Sequence, residues 1–207
     1  MQEILPILRS LFPSAGMILK YRSHWELLVA VQLSAQCTDK KVNEVTSVLF
    51  QKYPTFESYL TVDPQVFERD IFQTGYYRNK TKNILGAAKR IQEHFGGVVP
   101  HTMHDMLSLP GVARKTANVV LGNAFGVVEG IAVDTHVSRL SHVLGLSRER
   151  YPVNIEKDLM ACVPQQEWFH FTYLLIEYGR TYCVARRHDA TRCPLGHITH
   201  SASTTVR

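Results

Sequence analysis

The sequence predicts an all-α protein of about ten helices. Three observations carry that prediction. Apolar residues recur at spacings of three and four along most of the chain, strand-like alternation is scarce, and the breaks fall at Ser, Thr, Asp, Pro and Gly. Ser23-His-Trp-Glu26 is a capping box, so a helix starts near His24, with Trp25, Leu28, Val29 and Leu33 at helical spacing. Thr38 or Asp39 caps the next helix, which turns Val42, Val45, Val48 and Leu49 toward a core and ends at Pro54. Asp63-Pro64 opens a short helix, with proline at its first position. Gly75 breaks the chain before a long helix from about Asn79 to Phe95, whose inner face is Ile84, Leu85, Ala88, Ile91 and Phe95. Gly96-Gly97 ends it. Thr102 caps a short helix through Leu109, Pro110-Gly111 turns the chain, and a helix runs from about Ala113 to Phe125. That pair is a helix–hairpin–helix. Three further helices come after it: Asp134 to Leu144, Ile155 to Cys162, and Gln165 to Tyr182, the last rich enough in Trp168, Phe171, Tyr173, Leu174, Leu175 and Tyr178 to be buried on several sides. The tail after Cys183 has no periodic apolar pattern.

A chain of 207 residues suits one domain or two small intertwined ones, with ample material for a core. Its 45% hydrophobic content is ordinary for a globular protein. No apolar run approaches the ~20 residues of a membrane span. The N-terminus lacks the basic-then-apolar layout of a secretion signal. The expected location is cytoplasmic. The formal charge of +5 fits a polyanionic partner. Four cysteines in a chain this long do not suggest a disulfide framework. Cys37 and Cys162 are expected to be buried, inert thiols.

The most informative stretch is Leu109-Pro-Gly-Val-Ala-Arg-Lys-Thr-Ala-Asn118, with Val133-Asp-Thr-His136 downstream of it. A tight turn feeding a helix N-terminus aims backbone N–H groups outward, and such termini attract phosphates. Gly111 lets a phosphate approach, and Arg114 adds charge. A cation is unwelcome at the positive end of a helix dipole. Lys115 there is either a phosphate contact or an amine nucleophile that forms a Schiff base. Asp134, at a helix start, is an N-cap, a carboxylate that stabilises positive charge or relays a proton, or both.

These strings, with Leu33-Ser-Ala-Gln-Cys-Thr-Asp39 and Tyr178-Gly-Arg-Thr-Tyr-Cys183, resemble the endonuclease III family of helix–hairpin–helix DNA glycosylases, from about residue 20 to residue 195. The resemblance implies two helical lobes: residues 20–130, a helical barrel carrying the hairpin, and residues 1–19 with 131–207. It also implies damaged double-stranded DNA as the partner, a flipped oxidised pyrimidine as the substrate, and a monomer. By similarity, Lys115 is the Schiff-base lysine and Asp134 the essential aspartate. Gln36 fills the space the base leaves, and Tyr76 stands where the family places an intercalating residue, usually aliphatic. Gly111, Ala113, Arg114 and His136 complete the DNA-binding set. The implied activity is glycosylase with AP lyase. The alternatives are a different base preference, or a catalytically silent DNA-binding module that kept the hairpin and lost turnover along with the family's iron–sulfur cluster, against which the intact Lys115 and Asp134 argue.

The chain departs from the family pattern in two places. Ala113 replaces the hairpin's second glycine, which the first turn of a helix tolerates. The family's [4Fe–4S] motif, Cys-x6-Cys-x2-Cys-x5-Cys, keeps Cys183 and Cys193 but has Ala190 and Thr199 at the other positions. Two thiolates hold such a cluster poorly, so no cofactor is expected. Zinc held by both cysteines and two of His188, His197 and His200 is the weaker alternative, because the spacing matches no common zinc pattern. Without a cluster the loop lacks a staple, and this end is expected to fray, leaving Arg186, Arg187 and Arg192 as candidate phosphate contacts.

Overall fold

The computed structural model describes residues 1–186 and 188–198. They contain helices and turns and no strand. The helices are α1 Ile4–Leu11, α2 His24–Leu33, α3 Asp39–Lys52, α4 Ser58–Thr61, α5 Pro64–Ile71, α6 Tyr77–Phe95, α7 Met103–Leu107, α8 Arg114–Phe125, α9 Thr135–Val143, α10 Pro152–Cys162 and α11 Trp168–Thr181. None is long and apolar enough to cross a membrane. The chain divides into two compact units, residues 18–127 and residues 1–17 with 128–207.

In the first unit, α2 is the central element. The Ser23 hydroxyl accepts from Glu26 N at 3.2 Å, and the Glu26 carboxylate reaches back to Arg22 N at 2.6 Å. The box thus closes one residue upstream of the N-cap, on Arg22 N rather than Ser23 N. The expected stripe on α2 proves too narrow, since nine of its ten residues, from Trp25 to Leu33, are buried. A helix apolar all round is one enclosed by others, and α3, α6 and α8 all pack on it. The Thr38 hydroxyl caps α3. Its buried face turns toward Thr46 and Phe50, which leaves Val48 exposed rather than in the core. α6 begins two residues earlier than expected. Its inner face is Lys80, Thr81, Ile84, Ala87, Ala88 and Ile91, with Leu85 and Phe95 only half-buried.

In the second unit, α11 packs against α1 and α9, and α9 against α10. Phe171, Leu174, Leu175 and Tyr178 form its core with Leu8, Val137, Leu140 and Leu159. α1 has no counterpart in the sequence reading. α10 starts at Pro152, earlier than expected, and the segment from Gln165 begins as a 3₁₀ turn before α11.

Two further expectations need correction. Cys162 is exposed and Cys37 half-buried, because one ends α10 and the other lies in the loop before α3. As far as Leu195, the described part of the segment after Cys183, expected to fray, packs instead; residues 199–207 lie outside the described residues. Cys183, Cys193 and Leu195 are buried in the second unit's core, and Leu195 N donates to the Tyr178 hydroxyl at 3.1 Å. Burial pushes the Tyr178 phenol up to about 12.

Candidate active site and nucleic-acid interface

The hairpin is built from the turn outward. Leu109 and Val112 are buried and anchor its two ends. Between them Val112 N donates to Leu109 O at 3.2 Å, with Pro110 second and Gly111 third at φ 74°. A proline followed by a positive-φ glycine is what a type II turn requires. The turn is pressed onto α6. A Cβ on Gly111 would lie 2.7 Å from Asn83 Cβ, and one on Gly86 3.3 Å from Pro110 Cγ. From α2, the Gln32 side chain donates to Pro110 O at 3.3 Å. Gly111→Ala therefore combines an unfavourable φ with a backbone-proximal clash. It is expected to lower unfolding free energy by about 2–4 kcal/mol and to weaken binding to damaged and undamaged duplex alike. Denaturant unfolding and fluorescence anisotropy check both parts.

Ala113 is the N-cap of α8 rather than part of its first turn. It is extended, with φ −95° and ψ 170°, a conformation open to any residue. The missing second glycine thus costs no backbone strain. Ala113 offers no side-chain cap to this terminus, where a phosphate is a natural acceptor. Arg114 and the half-buried Lys115 are the first two residues of α8.

The first unit also holds Gln36 and Tyr76. They are the only non-glycine residues with positive φ among those described, at 53° and 48°. Each such residue stores about 1–3 kcal/mol and persists only where its surroundings fix it. Both are exposed, Tyr76 at 66%. Sequence reasoning missed what lies beneath them. Lys80 is only 5% exposed, and its Nζ donates at 2.8 Å both to Leu33 O and to Thr74 O. Burial pushes its ammonium below the ordinary lysine range, with Cys37 acting in the opposite sense. A signal was present, because Lys80 continues the Ile84-Ala88-Ile91 stripe by one turn. Phe72, 60% exposed with its ring 4.9 Å from that of Tyr77, is a second unforeseen residue beside the Gly75 turn.

In the second unit, Asp134 is the N-cap of α9. Its Oδ1 accepts from Val137 N at 2.8 Å, and its second carboxylate oxygen has no partner among the described residues. The approach to it is pinned, since Ile131, Ala132 and Val133 are buried and the Thr172 hydroxyl donates to Ala132 O at 3.0 Å. The cap and a reactive carboxylate coexist in one side chain. His136 lies on the first turn of α9 with its Nδ1 buried against α11 at Gly179, without a hydrogen-bond partner among the described residues.

Cys183, His188 and Cys193 come together, their donor atoms all within 4.8 Å of one another. His188 Nε2 is 3.4 Å from Cys193 Sγ, while its Nδ1 is 2.9 Å from Arg186 O. Burial pushes the Cys193 thiol up. Arg139 donates to Cys183 O at 2.6 Å and steadies the loop. His197 stands 3.7 Å from Glu3 instead of joining the group. Thr199, His200 and Arg187 lie outside the described residues. Two thiols and one imidazole do not fit a [4Fe–4S] cluster, which takes four thiolates.

Residues 29–165 match the HhH-GPD superfamily of base excision DNA repair proteins. Endonuclease III of Synechocystis sp. is 50% identical over 97% of this chain and 91% of its own length. Endonuclease III of Bacillus subtilis is 48% identical over 89% and 84%. Among solved structures, a non-covalent endonuclease III–DNA complex matches with TM-score 0.93 and 42% identity, over 98% of this chain and 95% of that one. A trapped endonuclease III–DNA covalent intermediate, an estranged-adenine complex, matches with the same score and identity over 100% and 97%. A thermostable thymine-DNA glycosylase, 20% identical with TM-score 0.78, shares the fold.

Proposed function

The chain belongs to the HhH-GPD superfamily of base excision DNA repair proteins, and from that premise we propose that it is a DNA glycosylase with AP-lyase activity on oxidised pyrimidines in duplex DNA. The observation that carries the reading is the start of α8: a type II turn and an alanine N-cap present a terminus without a side-chain cap, and Lys115 is its second residue. The uncapped N–H groups and Arg114 hold backbone phosphates, which position the duplex without reading its sequence. The nucleotide must leave the stack, because its glycosidic carbon is inaccessible inside it. Gln36 fills the gap, and Tyr76 enters beside it.

The Lys115 amine then attacks C1′ of the extruded nucleotide. The glycosidic bond breaks, and its electron pair leaves with the base, which is protonated. Asp134 accepts the amine's proton and stabilises positive charge on the sugar. The C1′–O4′ bond then breaks as O4′ takes up a proton, which opens the sugar and leaves an iminium between C1′ and the lysine nitrogen. The iminium acidifies C2′, and loss of that proton expels the 3′ phosphate by β-elimination. A panel of duplexes carrying thymine glycol, dihydrouracil, an abasic site or a mismatch tests the assignment. Base release and nicking on the first two, exceeding those on the mismatch, is the expected pattern. Turnover of the mismatch alone overturns the substrate class.

The reading extends to the loop after α11. Its donor set supports a protein without the family's cluster, and no step above passes through one. The purified protein is expected to lack the broad visible absorption of an iron–sulfur protein. A brown preparation with about four irons per chain refutes this.

A further inference from the structure

Lys80 is a buried cation that the reaction does not use. Its ammonium contacts no carboxylate among the described residues; it donates to two main-chain carbonyls at the ends of two helical segments. Leu33 is the last residue of α2, and Thr74 closes the 3₁₀ turn Phe72–Thr74. Carbonyls at such ends lack intrahelical partners and carry partial negative charge, so a cation between them satisfies both. Each carbonyl stands at the root of a loop. Ser34 and Ala35 lead from Leu33 to Gln36, and Gly75 leads from Thr74 to Tyr76. One ammonium thus ties the roots of the two loops that carry the two positive-φ side chains. Hydroxyls steady each root within its own segment: Ser34 donates to Val31 O and Thr74 to Ile71 O, both at 2.8 Å. Those bonds are local and say nothing of the distance between the loops. The two bonds from Lys80 join root to root from inside, while at the surface Lys41 Nζ on α3 donates to Gln73 Oε1 at 3.3 Å.

We propose that Lys80 is a positioning residue that sets the spacing of Gln36 and Tyr76 before DNA arrives, so that both enter the duplex together when a nucleotide is extruded. This rests on the DNA-entering roles proposed for those two side chains. Pre-set loops lower the ordering cost of binding, and the gain falls only on duplexes whose stack is opened. Contacts to backbone phosphates are unaffected.

The test is a mutant cycle read by fluorescence anisotropy on two duplexes, one undamaged and one carrying a tetrahydrofuran abasic analogue. Lys80→Met is expected to reduce the preference for the abasic duplex by about tenfold, with undamaged-duplex affinity held within about twofold. In a Gln36→Ala/Tyr76→Ala background the same change is expected to add less than about twofold. Equal losses in both backgrounds overturn the proposal, as does a parallel loss on both duplexes, the mark of a merely structural role. A Gln36→Ala/Tyr76→Ala protein with unaltered preference overturns the underlying reading as well, and differs visibly from either of those results. Lys80→Gln, which keeps a donor and removes the buried charge, carries the same cycle should the methionine variant not fold.

Discussion

Lys115→Ala protein is expected to bind duplex DNA carrying an abasic site and yet give no covalent product on borohydride reduction. The resemblance to the family implies this outcome, and the composition of the hairpin agrees with it. From Pro110 to Asn118 the chain offers two cationic side chains, Arg114 and Lys115. A guanidinium stays protonated and cannot attack a carbon. Lys80, the buried lysine of the same unit, has its Nζ engaged by two carbonyls. Lys115 is half-buried on the first turn of α8, where a reacting sugar and its flanking phosphates could sit within one helix terminus. Its removal deletes the hairpin's one amine. Strand cleavage by β-elimination should fall below detection, and base release should drop by on the order of 10³-fold or more, since water must then act unaided. Affinity should fall far less, by about tenfold at most at moderate salt, because one phosphate contact among several is lost. The measurement is a denaturing gel after reduction, beside anisotropy on the same duplex. A trapped band from Lys115→Ala would place the nucleophile elsewhere, and a wild-type protein that binds but never traps would leave a silent DNA-binding module.

The hairpin was legible in the sequence because the residues that set its turn are local, although α6 and Gln32 of α2 then hold it in place. A proline, a glycine and two apolar anchors within four residues determine the turn, and the helix after it is set by the same residues. The Ser23 box and the Thr102 and Asp134 caps were readable for the same reason. What the sequence concealed depends on distant partners. Lys80 reads as a surface lysine until α2 and the turn before α6 close over it. Val48 fits the stripe of α3 by spacing alone, yet the packing rotates that face past it. The loop after Cys183 shows no periodicity, since its burial comes from Tyr178 and Arg139, both outside the loop. Spacing alone puts Ala113 one position too deep, and only the backbone angles show that it precedes the helix.

Asp134→Asn separates two jobs that one carboxylate performs. Oδ1 is committed to Val137 N at 2.8 Å and stops the N-terminus of α9 from losing a bond. Asparagine caps as well as aspartate does, so the substitution should leave the unfolding midpoint nearly unmoved. It removes the negative charge and the proton acceptor together. Base release and borohydride trapping should therefore fall by about 10²–10⁴-fold, the range that a positioned general base supplies. Asp134→Ala should show the same catalytic loss plus a stability loss of about 1 kcal/mol, from the orphaned Val137 N–H. The difference between the two variants isolates the cap; the loss they share isolates the chemistry. The pinned approach through Ile131–Val133 makes this separation clean, because nothing else holding Asp134 in place changes with its charge. Single-turnover base release, read beside a urea melt, decides the matter. An asparagine variant that turns over like the parent would reduce Asp134 to a cap, and the proton from Lys115 would then need another acceptor.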